Sequence, residues 1–282
     1  MSSVLFDVPG PRARLRHRLY ALLTIVVLVG AIGFVVYRFT VTGQFEPVKW
    51  SWLEYKQIQL SMVDALLNTL KAFAAGAVLA MAFGAIFAAG QLSDHKIIRV
   101  PSMVVVELFR AVPLVVMIFF FHYGVSPGPP FYSVVLGLTL YNGSVLAEVF
   151  RAGVRSLPRG QSEAAYAVGM RKTQVMSNVL LPQAVRAMLP AIISQLVVLL
   201  KDSALGFLIT YDELLEFARD IGSSFQFDRP LVPVTIVVGA MYIAMCLLLT
   251  WLATYLEKRS RRNKKVLKLE KKPAEDVVAA AV

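Results

Sequence analysis

Cysteine is almost absent from this 282-residue chain. The single Cys246 excludes an intrachain disulfide and any cysteine-based metal site. Histidine is nearly as scarce: His17, His95 and His122 fall in separate segments, and no HExxH pair occurs. No G-x-x-x-x-G-K-[ST] loop is present, so the chain is expected to hold no ATPase site of its own. No motif assembles a Ser, His and carboxylate set. No catalytic residue, metal site or bound cofactor is therefore predicted for this chain. Acidic residues are few as well, 18 against 29 Lys and Arg, which leaves a formal net charge of +11.

What remains is apolar. The chain is 57% hydrophobic, above the roughly 45–50% of soluble domains. Six runs are long enough to cross about 30 Å of hydrocarbon: residues 19–39, 66–90, 100–123, 131–151, 187–210 and 231–256. The expected fold is all-α, a polytopic membrane bundle of about six helices. It divides into an N-terminal segment (1–18), a transmembrane domain (19–256) and a basic tail (257–282). The first run is too long for a signal-peptide core, and no small-residue cleavage site follows it.

Charge orients the spans. With the N-terminus in the cytoplasm, about 21 of the 29 Lys and Arg fall inside, as the positive-inside rule requires. Both termini are then cytoplasmic. The loop 211–228 is outside with Asp212, Glu213, Glu216, Asp220 and Asp228, and Trp50, Trp52 and Tyr55 suit the outer interface. The basic tail is read as facing anionic lipid, and no nucleic-acid partner is predicted. Lys71, near the outer end of the second span, is expected to snorkel to the interface.

Two local patterns stand out. Gly76, Ala80, Gly84 and Ala88 recur every four residues on the second span, a stripe that lets helix backbones approach. Packing within the chain is the favoured use, a subunit interface the other. The second pattern is a polar loop, about 152–186. Pro158 suits the first position of a helix through 159–168, and Gly169 suits a left-handed cap. Thr173 suits the cap of a second short helix, which Pro182 ends near Leu180. Glu163, Ala164, Ala165 and Val168 give the first helix a small face for a partner's groove. An amphipathic helix lying on the inner leaflet fits equally well.

Gly160-Gln161-Ser162-Glu163-Ala164-Ala165, with Gly169 four residues on and Leu181-Pro182-Gln183-Ala184 beyond, resembles the EAA loop of ATP-binding cassette importer permeases. More narrowly, the chain resembles the polar amino acid uptake family. Glu107-Leu108-Phe109-Arg110-Ala111-Val112-Pro113, Glu148-Val149-Phe150-Arg151-Ala152-Gly153 and Lys201-Asp202-Ser203-Ala204-Leu205 carry the same resemblance. The opening residues 4–12 and the additional first span look like actinobacterial glutamate-uptake membrane subunits. The family usually has Arg-Gly-Thr-Pro at residues 110–113 and Lys-Asp-Thr-Ser-Leu at 201–205. Ser203 therefore keeps a hydroxyl where the next position has lost one.

The resemblance implies an importer for glutamate or a related polar amino acid, working by alternating access. Two separate cassette subunits would bind and hydrolyse ATP, docking at Gly160, Glu163, Ala164, Ala165 and Gly169. The other implied partners are an extracytoplasmic amino-acid-binding protein and a second permease chain, with a heterodimer favoured over a homodimer. Arg110, Asn142, Lys201, Asp202 and Ser203 are the candidate pathway residues, because ionised groups in a bilayer face a polar route or a partner. Internal pairing of Glu107 with Arg110 and of Lys201 with Asp202 is the favoured alternative, and for Asn142 a hydrogen bond to a neighbouring helix. An ion-gradient-driven transporter or channel is the competing class, and a receptor or scaffold comes third.

Overall fold

The computed structural model describes residues 10–125 and 128–262; the family-like opening at 4–9 and most of the basic tail lie outside them. Every regular element among the described residues is helical. Five helices are long and apolar enough to cross a membrane, six if one bent pair counts as a single span. The described residues form two compact units, one within 1–66 and 214–239 and the other within 67–213 and 240–282.

The first unit opens with α1 (Pro11–Val41), a 31-residue helix with Pro in its first turn and an exposed surface along its length. Two 3-10 turns follow, Pro47–Lys49 and Ser51–Glu54, then the first turns of α2 (Lys56–Gln91). They share the unit with α9 (Leu214–Ser223) and the start of α10 (Leu231–Arg262). Trp52 is 1% exposed and meets Phe217 edge-on at 6.2 Å. It is therefore core rather than the interface residue expected, while Tyr55 remains exposed with its ring 5.4 Å from Phe227. The acidic loop is corrected in the same way. Glu216 is buried against Arg219 (3.3 Å), and Asp228 pairs with Lys49 (3.0 Å).

In the second unit α5 (Pro130–Arg155) is the central helix. It packs against α3 (Lys96–Ala111), α4 (Leu114–Phe119) and α8 (Leu181–Asp202). Small residues set its distance from α2. A Cβ on Gly84 would lie 3.0 Å from the Gly143 carbonyl, and one on Gly143 would lie 3.1 Å from the Ala80 carbonyl. The backbones thus touch, as small-residue stripes permit. Ala80 and Ala88 are buried on the same line, so the stripe serves packing within the chain.

The third predicted span, 100–123, is not one straight helix. α3 and the segment Leu114–Val125 meet at 97°. Pro113 supplies no N–H and forces Val112 into an extended conformation (φ −83°, ψ 126°). The second short helix also departs from expectation. Arg171, not Thr173, caps α7 (Lys172–Gln174), which runs through a π turn at Val175–Leu180 straight into α8. Pro182 sits in the first turn of α8, where a missing N–H is tolerated, so it begins a helix instead of ending one. The fifth span accordingly starts earlier than residue 187, and after Asp202 it tightens into a 3-10 turn, Ser203–Ile209.

Candidate coupling and pathway sites

The loop predicted to dock a partner folds as one exposed helix on a small footing. α6 (Arg159–Ala167) begins after Pro158, which is extended (φ −57°, ψ 132°) and occupies the capping position instead of the first helical one. Its end follows the expectation. Gly169 has φ +82°, its N–H donates to the Tyr166 carbonyl (2.9 Å), and the Met170 N–H donates to the Ala165 carbonyl (3.2 Å). That pair of bonds is the Schellman arrangement, which favours glycine because of its positive φ.

α6 has an inner and an outer side. Ala165 is buried, and the helix rests on the π turn, where Val175 is buried too. Glu163, Ala164, Ala167 and Val168 are exposed, Val168 to 77%. Ala165 therefore belongs to the footing, not to the small outward face predicted for it. A Cβ at Gly160 would meet no atom within 4 Å, so this chain itself places no steric demand for glycine there. Two polar links hold the loop: Gln183 Nε2 donates to Gln161 Oε1 (3.3 Å), and Lys172 pairs with Asp94 in the turn after α2. The hydrogen bond and charge of Lys172 hold the exposed Asp94 carboxyl below its ordinary value.

Inside the bundle, the structure brings together some of the predicted pathway residues and separates others. Asn142 on α5 is 0% exposed. Its Nδ2 donates to Asp202 Oδ2 (3.2 Å), and its Oδ1 accepts from Gln195 Nε2 (2.7 Å). Gln195 was absent from the predicted set. It lies seven residues before Asp202 on α8, two turns away on the same face, which is the signal that could have found it. Asp202 thus bonds to α5, and no ion pair with Lys201 forms. Lys201 is exposed and has no hydrogen bond or ion pair among the described residues. The Ser203 hydroxyl is buried and donates to the Leu200 carbonyl (2.7 Å).

Arg110 stands apart from that network, paired with Glu107 at 3.4 Å on an exposed face of α3. Glu148 and Arg151 repeat the arrangement on α5, with a second bond of 3.2 Å from Arg151 Nε to Glu148 Oε1. Glu-x-Phe-Arg-Ala occurs in both motifs, and each copy closes on itself at i, i+3.

At the end of this unit remote from α6, Tyr211 donates to the Asn68 carbonyl (2.8 Å), and Asn68 Nδ2 donates to the Asp212 carbonyl (2.9 Å). Lys71 is exposed and donates to Asn68 Oδ1 (3.3 Å). Glu213 is fully buried and accepts from Tyr242 (2.6 Å), a second correction to the exposed acidic loop. Burial, then the charges of Glu213 and Asp212, push the Tyr211 phenol up to about 12.

A helix bundle with an exposed footed helix and a buried polar network between two spans is the membrane part of a transporter. Over residues 57–262 the chain matches the binding-protein-dependent transport system inner membrane component family, and it belongs to that family. It is 40% identical over 230 residues to the glutamate transport system permease protein GluD of Corynebacterium glutamicum, covering 79% of this chain and 83% of that one. It is 31% identical over 214 residues to the glutamate/aspartate import permease protein GltK of Escherichia coli O157:H7, covering 71% and 93%. A crystal structure of an amino acid ABC transporter with histidines is similar at TM-score 0.66 and 28% identity, covering 74% of this chain and 98% of that one. An inward-facing MetNI methionine ABC transporter shares the fold at TM-score 0.62 and 18% identity. These likenesses favour an ATP-binding cassette importer permease over an ion-gradient transporter.

Proposed function

We propose that this chain carries glutamate or a related polar amino acid inward across the cytoplasmic membrane, driven by ATP that two separate cassette subunits bind and hydrolyse. A second permease chain completes the pathway, as a heterodimer in preference to a homodimer, and an extracytoplasmic binding protein delivers the substrate. The transmembrane domain is 19–256, and the loop 152–186 is cytoplasmic with both termini. The excess of Lys and Arg on the α6 side supports that orientation.

The observation that carries the reading is the footing of α6. Glu163, Ala164 and Val168 project away from the chain, while Ala165 seats the helix on the π turn that leads into α8. A cassette groove that takes the outer face moves α6, and α6 moves α8 through the turn. α8 carries Gln195 and Asp202, whose bonds to Asn142 fasten it to α5. Inward- and outward-open states then differ in these contacts, as coupling demands, since a partner that binds both states equally shifts neither. Gly160 leaves room for the partner at the first turn of α6, and Gly169 fixes where the helix ends.

In the pathway, Lys201 is the cation that offers positive potential to an anionic amino acid. An exposed unpaired charge in a span faces a polar route or a partner, whereas Arg110 already has Glu107. Asn142 and Asp202 form the wall behind Lys201, and Ser203 begins the 3-10 turn beyond it.

Glu163→Arg tests the docking half of this reading. The variant chain should retain its melting temperature in detergent, since Glu163 is exposed and makes no ion pair, but lose co-purifying cassette subunits and ATP-driven uptake. Normal co-purification and uptake would show that α6 does not couple.

A further inference from the structure

A cavity of about 760 Å³ lies between α2, α5 and α8 beside the π turn. Its wall is apolar: Met81 lies on α2 and Leu92 just past its end, Phe150 lies on α5, and Met188 and Ile192 lie on α8. Polar groups collect at one end, where Ser93, Asp94, His95, Lys172 and Thr173 form the mouth and the Asp94–Lys172 pair spans it. From Met81 to Gln91, where α2 ends, is ten residues of helix, roughly 15 Å at 1.5 Å per residue. Leu181 to Ile192 on α8 is eleven residues, roughly 16 Å by the same rise. Half of a hydrocarbon core of about 30 Å is roughly 15 Å, so the cavity is one leaflet deep.

We propose that this cavity is a binding site for an anionic phospholipid of the leaflet facing α6, with one acyl chain between α2 and α8 and its phosphate at the mouth. Depth and lining match the acyl chain, and the volume lies within the usual range of ligand pockets, about 300–1,000 Å³. Charge selects the head group. Arg99 acts on Asp94, and the two segments that form the mouth, 93–99 and 171–173, carry four cations (Lys96, Arg99, Arg171 and Lys172) and one acid. Anionic headgroups favour such basic rims. Because the mouth joins the turn after α2 to the loop that carries α6, a bound lipid braces the coupling helix against the bundle. The site rests on the membrane-spanning reading of α2, α5 and α8 and is independent of whether α6 docks a cassette.

The probe is phosphatidylglycerol with a diazirine in its acyl chain, in vesicles of phosphatidylcholine holding the full transporter complex. Photolysis should label peptides from 81–92 and 176–192. Ala89→Trp, at an exposed wall position, should abolish that labelling by filling the space. Lys172→Ala leaves the wall intact and should lower the phosphatidylglycerol label about fivefold, with no change for the same diazirine on phosphatidylcholine. The proposal is overturned if label spreads over the exposed face of α1 as strongly as in the cavity. It is also overturned if Ala89→Trp leaves the pattern unchanged, or if a partner chain covers the site and no label appears. Glu163→Arg should leave the label intact even if it abolishes uptake, which separates this site from the docking reading.

Discussion

Asn142→Leu removes both bonds that tie α5 to α8 within the bundle, and its cost can be worked from the network. Inter-helix hydrogen bonds in membranes average about 0.6 kcal/mol each and reach about 1.7. The substitution breaks two, to Gln195 and Asp202, and leaves a partly buried carboxylate without its amide donor. Unsatisfied polar groups cost about 1–3 kcal/mol, so with the two bonds at about 0.6 kcal/mol each the total loss should be about 2–4 kcal/mol. The assay is equilibrium unfolding of the purified chain in mixed micelles, run as a double-mutant cycle with Gln195→Leu. Because the two side chains share a bond, the double variant should cost less than the sum of the singles by at least about 0.5 kcal/mol. Uptake should fall in the same variant, since α8 would no longer move with α5. Strict additivity of Asn142→Leu and Gln195→Leu would refute the reasoning.

Gly84→Leu should destabilise the bundle by about 1–3 kcal/mol, because even a Cβ there meets the Gly143 carbonyl at 3.0 Å; the same unfolding assay checks it. Gly169→Ala should loosen the end of α6 by about 1 kcal/mol, seen as faster amide exchange at residues 166–170 with the melting temperature of the bundle unchanged. The Asp94–Lys172 link has a pH signature. Asp94 has a lowered folded pKa, so its contribution is present above the ordinary value of 3.8 and fades as pH falls through the folded one. Protease cutting in the loop 152–186 should therefore rise at pH below about 4, and Asp94→Asn should remove that pH dependence.

Composition was enough for the all-α membrane class, because a lipid interior leaves helices as the means of satisfying backbone groups in a chain so apolar. The span count followed from the length of the apolar runs and the packing role of the Gly76 stripe from its four-residue spacing, both of which are properties of single helices. Breaks were harder to read. Pro113 bends the third span by 97°, yet Pro190 sits inside α8 without ending it. The difference lies in the tertiary surroundings, which one sequence does not display. Burial misled in the loop 211–228 for a related reason. Glu213 looks like a surface acid until Tyr242, 29 residues away, supplies its donor. In the pathway, Asn142 and Asp202 were legible as polar residues in apolar runs, but their bond depends on how α5 and α8 cross. Gln195 carries the same signal, two turns from Asp202 on one face of α8, but its partner Asn142 lies 53 residues away and the bond shows only in the folded chain.

Transport through this chain is proposed to be driven by ATP that partner subunits hydrolyse. Uptake of labelled glutamate into proteoliposomes holding the complete complex, with the binding protein on the outside, tests it most directly. Uptake should require ATP inside and persist when ionophores collapse every ion gradient. Accumulation without ATP that an ionophore abolishes would contradict the account.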